Sequence, residues 1–341
     1  MIKRTPDFEN NLLCVIQKKK PARATLFELF FDYEFYCRLA GHKEPCEGAL
    51  GRLRLTVDAM AKAGYDYATC HGANIRFRPQ KREKSSTVSL NGNALITDWE
   101  SFEKFSWPDI EKSDFSVLEK IEPYLPDGMK LMVMGPGGVL ENVIDLVGYD
   151  NLCIMLFDNP QLVREIFNRV GSVLVKYYER SAVSENVGVL MSNDDWGFNT
   201  QTFLSPADMR KYVFPWHKKI VETVHRNSKP CLLHSCGYYN DIIEDVINEL
   251  KYDGRHSYED NIVPIEDAYE KLHGRIAVLG GIDVNFLTTA APEEIYNRSI
   301  AMLERTQNRG GYALGSGNSI AKYIPFENYL AMQKAAIEFD S

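Results

Sequence analysis

Short apolar, β-branched runs alternate along this chain with longer segments whose apolar positions recur at helical spacing, the pattern of βα units that build a parallel sheet. The runs that read as strands are residues 25–31, 65–70, 130–134, 188–192, 230–234, 254–257, 275–279 and 311–314. Segments 162–181, 206–225, 241–250, 292–307 and 326–338 are amphipathic. Several open on a helix-start signal: Ser205-Pro206, Asn240-Asp241 and Ala291-Pro292-Glu293-Glu294. Eight parallel strands with intervening helices in about 300 residues fit an α/β fold of the (β/α)8 TIM barrel type better than an open doubly wound sheet.

No linker, composition shift or repeat divides the sequence, so residues 1–341 are expected to form a single barrel domain. Residues 1–24 read as an amphipathic N-terminal helical extension, and residues 71–129 as an insertion too long for one βα unit. Within that insertion, residues 87–90 and 93–96 around Asn91-Gly92 read as a hairpin, either laid over one end of the barrel or a surface ornament.

Composition narrows the class. A chain of 341 residues, 45% hydrophobic and 25% charged, can bury a core without staples and is neither disordered nor fibrous. Asp plus Glu (47) outnumber Lys plus Arg (39), which argues against a nucleic-acid surface; the basic runs at 18–20 and 81–84 are short. Neither a signal-peptide pattern nor a long apolar stretch is present, so no membrane association and a cytoplasmic location are expected. The seven cysteines are odd in number and scattered, which fits a reducing compartment and mostly buried thiols rather than a disulfide framework.

In a barrel of this kind the chemistry sits where strands end and βα loops begin. Polar groups gather there: Asn193-Asp194-Asp195-Trp196-Gly197-Phe198, His234-Ser235-Cys236-Gly237-Tyr238-Tyr239, His256-Ser257-Tyr258-Glu259-Asp260, Gly281-Ile282-Asp283 and Gly315-Ser316-Gly317-Asn318. His234 and Cys236 stand at i and i+2, so they share one side of the pleat and offer two ligands to a soft tetrahedral ion such as Zn²⁺. A hydrogen-bonded histidine beside a buried thiol is the alternative. Asp194 and Asp195 are adjacent and therefore face opposite ways, one towards the mouth, as base, substrate acceptor or metal ligand, or as a helix cap. His256 and Glu259 carry the same choice. The glycines at 135–138 and 315–317 read as phosphate cradles or as turns that need an unusual φ. Trp196, Phe198, Tyr238, Tyr239 and Tyr258 on this rim suggest a planar or apolar ligand.

The run Leu232-Leu233-His234-Ser235-Cys236-Gly237, with Leu279-Gly280-Gly281-Ile282-Asp283, Gly311-Tyr312-Ala313-Leu314-Gly315-Ser316-Gly317, Asp194-Asp195-Trp196-Gly197 and Phe214-Pro215-Trp216, resembles the uroporphyrinogen decarboxylase superfamily. It is most similar to the branch of zinc-dependent, corrinoid-linked methyltransferases, and within it to the methyltransferase components of aryl methyl ether O-demethylases. The resemblance implies a (β/α)8 barrel that moves a methyl group from a small methylated substrate, an aromatic methyl ether by preference, to the cobalt of a corrinoid. No Asp-x-His-x-x-Gly corrinoid signature occurs in the chain, so the corrinoid is expected on a separate partner protein.

Two departures qualify the likeness. Where the decarboxylases carry an Arg-Gln-Ala-Gly-Arg type segment, this chain reads Phe30-Phe31-Asp32-Tyr33-Glu34, which would repel a polycarboxylate porphyrinogen. Where the methyltransferases place a further Cys ligand, this chain has Asn318, a poor zinc ligand. The expected zinc set is therefore His234 and Cys236 with Glu259 or Asp194 as third ligand, unless the site holds no metal. Asp195, His256 and Asp194 are the candidates for proton transfer or substrate anchoring, and Trp196, Phe198, Tyr238, Tyr258 and Asn318 for substrate binding. A tetrapyrrole decarboxylase and a non-catalytic tetrapyrrole-binding protein are the alternatives.

Overall fold

Strands with apolar residues on both faces are stable only where both faces are covered, the condition met in parallel α/β sheets. The computed structural model describes residues 4–42, 46–78, 90–91 and 94–340. In it, β1 (Tyr67–His71), β2 (Lys130–Met134), β3 (Val187–Asn193), β4 (Cys231–His234), β5 (Gly254–His256), β6 (Ala277–Leu279) and β7 (Tyr312–Ala313) form one curled parallel sheet in sequence order. The architecture is consistent with a TIM-barrel-like α/β fold. Helices such as Pro160–Ala182, Phe214–Arg226, Pro292–Thr306 and Phe326–Phe339 pack their apolar sides around it. Register sets up the site: His234 at the end of β4 pairs with Asn193 of β3 on one side and His256 of β5 on the other.

One expected strand differs. Residues 25–31 join the sheet only through isolated parallel bridges, Leu26 to Leu314 and Phe31 to Ile320. On the β1 side, the Tyr67 hydroxyl replaces a ladder: it accepts from the Glu28 N–H and donates to the Glu28 carbonyl, both at 2.7 Å. The backbone is satisfied by a side chain, so no regular strand is needed.

Two expected helices are also broken. The 206–225 segment divides into Pro206–Asp208, a π turn at Met209–Val213 and Phe214–Arg226. Pro215 lacks the N–H that would continue the α ladder across the junction. The 241–250 segment is a 3₁₀ turn, Asn240–Ile242, followed by a π turn, Asp245–Glu249.

The N-terminal extension carries the short helix Leu12–Ile16, and Phe8 packs on Gly188 and Lys130 at the N-terminal ends of β2 and β3. That end of the sheet is covered, whereas the polar loops lie at the other. The expected hairpin at 87–96 falls largely outside the described residues; of it, Leu95 and Ile96 donate their N–H groups to the Leu146 carbonyl. Between β1 and β2 the described residues form short helices: Trp99–Lys104, Ile110–Lys112, Val117–Lys120 and Glu122–Tyr124. All seven cysteines are free, and Cys231 alone among them is fully buried, fewer than expected. Among the described residues no helix is long and apolar enough to cross a membrane.

Candidate metal centre at the strand ends

Beyond the last paired residues the backbone ladder continues, with Asp194 N donating to His234 O at 2.9 Å and Ser235 N to His256 O at 2.8 Å. This holds the three loops in step. Alternation along the chain then turns Asp195 and Cys236 towards His234. Asp195 Oδ1 accepts the Cys236 N–H at 2.8 Å and lies 4.0 Å from His234 Nε2, while Cys236 Sγ lies 3.6 Å from the same nitrogen. One ligand atom from each of Asp195, His234 and Cys236 falls within 4.8 Å of the others, a group able to hold a metal ion.

The hydrogen bonds decide the tautomers. His256 Nε2 faces the Ser316 carbonyl at 3.2 Å, which can only accept, so the proton of His256 is on Nε2. Its Nδ1 therefore accepts, and the partner 2.8 Å away, His234 Nδ1, donates. His234 Nε2 is left as a bare lone pair aimed at Asp195 and Cys236. Burial lowers His234 to about 4, and burial with the neighbouring His234 lowers His256 strongly, so both rings are neutral near pH 7. Neutral imidazole with its second nitrogen hydrogen-bonded is the form that ligates metals.

The remaining donors are tuned in the opposite sense. Burial, then the Asp195 charge, push the Cys236 thiol up, and burial raises the Asp195 carboxyl against the opposing Cys236 N–H. A cation between them would reverse both effects, because it stabilises the thiolate and the carboxylate together. One imidazole nitrogen, one sulfur and one carboxylate oxygen, on a site whose Asp195 side chain is 36% exposed, fit a zinc ion with an open fourth position. Asn318 Nδ2 donates to Cys236 Sγ at 3.1 Å, so it stands beside the sulfur.

Asp194 points the other way. Fully buried, it accepts from Leu140 N and Glu141 N, both at 2.9 Å, and from His217 Nε2 at 2.8 Å. It thus caps the helix Val139–Val147, and Gly138 has no room for a side chain, since a Cβ would meet Asp194 Oδ1 at 2.0 Å. His217 passes the contact on to the Tyr252 hydroxyl at 2.7 Å.

Glu259 lies close to the metal-donor group without joining it, its Oε1 3.4 Å from Gly237 N. It lines a cleft of about 840 Å³ together with Tyr258, Asp283, Phe286, Asn318 and Tyr323. Asn318 connects this cleft to Cys236. No Lys or Arg is among the described residues lining it, and of its acids Asp260 is held by Arg298 at 2.6 Å while Asp283 caps the helix Val284–Thr289. The other rim aromatics lie apart from it. Trp196 is fully buried against Phe214, His217 and Tyr239; Phe198 packs edge-on to Phe203; the Tyr238 hydroxyl donates to Asp241.

Sequence reasoning missed Glu141 and Glu28. Burial and the charges of Asp194 and Asp195 hold the Glu141 carboxyl well above its ordinary range. Glu28 is an acid inside the apolar run Leu26-Phe27-Glu28-Leu29, and that break in pattern was the available signal. It is fully buried, with the Ser316 N–H donating to it at 2.8 Å and the Ser316 hydroxyl hydrogen-bonded to it at 2.5 Å.

Known proteins resemble this chain in sequence and in fold. The uroporphyrinogen decarboxylase of Geobacter sulfurreducens is 23% identical over 241 residues, 66% of this chain and 68% of its own length. That of Anaeromyxobacter dehalogenans is 24% identical over 285 residues, covering 79% and 76%. Among solved structures, a methyltransferase from Methanosarcina mazei superposes with a TM-score of 0.74 at 16% identity, over 98% of this chain and 100% of the other, and shares the fold. The profile of the family described as uroporphyrinogen decarboxylase (URO-D) matches residues 96–339, a span that includes Asp195, His234, Cys236, His256 and Asn318, and the chain belongs to that family.

Proposed function

We propose that this protein is a methyltransferase that takes a methyl group from a small methylated substrate, an aromatic methyl ether by preference, and delivers it to the cobalt of a partner corrinoid protein. The observation that carries the reading is the convergence of Asp195, His234 and Cys236, with His234 Nε2 left bare. These residues would hold zinc, Asp195 taking the third position for which the sequence suggested Glu259 or Asp194. When bound, the zinc would supply Lewis acidity to the oxygen from which the methyl group departs.

The chain's own residues do the rest. His256, with both nitrogens engaged, orients His234 rather than touching substrate. Asn318 Nδ2 stabilises charge on the Cys236 sulfur. Glu141 accepts the Gly138 N–H at 3.0 Å and so steadies the helix start that Asp194 caps beside the donor group. Tyr258, Phe286 and Tyr323 line the cleft with Glu259 and would give an arene apolar contact there. A cleft lined by acids and by no cation among its described residues disfavours a substrate bearing several carboxylates, so porphyrinogen decarboxylation is the weaker reading despite the names of the relatives.

The test is zinc content of the purified protein together with methyl transfer from methoxyarenes to a Co(I) corrinoid protein. Stoichiometric zinc and transfer are expected, both lost in His234→Ala and Cys236→Ser. Absence of both in the wild-type protein, or release of CO₂ from a porphyrinogen, overturns the reading.

A further inference from the structure

A carboxyl group buried without a cation needs a reason, because transfer from water is costly unless its hydrogen bonds are remade. Glu28 is fully buried, and no ion pair to it is found among the described residues. Its two oxygens are both spent on one residue, Ser316: one accepts the N–H at 2.8 Å and the other is hydrogen-bonded to the hydroxyl at 2.5 Å. The carbonyl of Ser316 receives His256 Nε2–H at 3.2 Å, and His256 Nδ1 receives His234 Nδ1–H at 2.8 Å. Four residues therefore form one directed chain that ends on the bare Nε2 of the metal-facing imidazole.

The surroundings are shaped to keep this chain in place. The Tyr67 hydroxyl brackets the Glu28 backbone. A Cβ on Gly315 would meet the Phe27 carbonyl at 1.6 Å; one on Gly280, where φ is +69°, would meet the Ser316 carbonyl at 2.3 Å and His256 Nε2 at 3.1 Å. Phe27 also packs on the His256 ring with centroids 5.2 Å apart. Residues from the first segment, β5, β6 and the loop after β7 thus meet at a point behind the candidate metal centre.

We infer that Glu28 is a positioning residue for that centre: by holding Ser316 it fixes His256 in its Nε2–H form, which fixes His234 in its Nδ1–H form with Nε2 free for a metal. The inference rests on the proposed reading of Asp195, His234 and Cys236 as zinc ligands. Carbonyl or carboxylate partners behind a ligating histidine set its tautomer and orientation, and their loss weakens metal binding by roughly 10–100-fold. Here the control is exerted at three removes. Glu28 needs only to accept from the Ser316 N–H and engage its hydroxyl, which a neutral amide can also do.

The experiment compares wild type, Glu28→Gln, Glu28→Ala and the volume-keeping Glu28→Leu. Long-range ¹⁵N–¹H spectra of the metal-free proteins read the imidazole tautomers, and competition with a chelator reads zinc affinity. Wild type and Glu28→Gln should show His256 protonated on Nε2 and His234 on Nδ1, with affinities within about twofold. Whichever of Glu28→Ala and Glu28→Leu folds should show mixed tautomers and zinc binding weaker by roughly 10–100-fold. The inference is overturned if wild-type His234 carries its proton on Nε2, or if a folded Ala or Leu variant keeps wild-type tautomers and affinity. Failure of the wild-type protein to take up zinc would overturn the metal reading instead, and the spectra of the metal-free protein would still decide the Glu28 chain.

Discussion

Glu28→Gln should also make the stability of the protein less sensitive to alkali, and the size of the effect follows from the site. Burial raises the Glu28 carboxyl from its ordinary 4.5 to about 8, opposed by the two hydrogen bonds from Ser316. The folded chain therefore binds the Glu28 proton more tightly than the unfolded chain. The stability associated with it is fully present below about pH 4.5 and is lost as pH rises through about 8. Each pH unit between those limits costs about 1.4 kcal/mol, with rounding at both ends. From about pH 6 to about pH 8.5, wild type should lose roughly 2–3 kcal/mol more than the Gln variant, whose neutral amide has nothing to titrate. Urea unfolding of both proteins at the two pH values measures this as a double difference, which cancels every other titrating group. Parallel pH profiles, agreeing within about 0.5 kcal/mol, would show that Glu28 is already ionised in the folded protein and that the argument from its burial is wrong.

Other substitutions separate structural from chemical roles. Asp194→Ala leaves Leu140 N, Glu141 N and His217 without their acceptor and should cost at least about 3 kcal/mol in urea unfolding. Zinc affinity of the folded fraction should change little, and a stable Asp194→Ala protein that lost zinc would contradict this assignment. Asn318→Cys offers a second sulfur from the residue whose amide nitrogen now sits 3.1 Å from Cys236 Sγ, and should tighten zinc binding by about tenfold or more in chelator competition. Unchanged affinity would mean that this position does not reach the metal. Asp195→Asn should weaken zinc binding by roughly 10–100-fold, whereas Glu259→Gln should leave it within about threefold. The reverse order would make Glu259 the third ligand.

Most of the seven sheet strands were legible because they are short apolar runs covered on both faces, so burial leaves its mark on residue type; β5, Gly254-Arg255-His256, is the exception. Residues 25–31 carry the same mark but pair through isolated bridges, because the Tyr67 hydroxyl satisfies Glu28 where a strand would otherwise be required. Periodicity also ran straight through the 206–225 segment, although Pro215 interrupts its hydrogen bonding. In the site, His234 and Cys236 could be paired from spacing alone, since alternation in an extended chain is local. The orientation of Asp194 and Asp195 could not, because alternation says only that they differ.

The order of elements, the parallel α/β class and the rim on which polar groups gather belong to the sequence itself, since they follow from the local pattern of burial and from turn chemistry. Tertiary structure alone decided which carboxylate faces His234, that Asn318 meets Cys236, and that Glu28 stands behind Ser316, 288 positions away along the chain. Such contacts depend on strand register and sheet curvature, which are set by packing over the whole molecule and leave no mark at the individual residues they join.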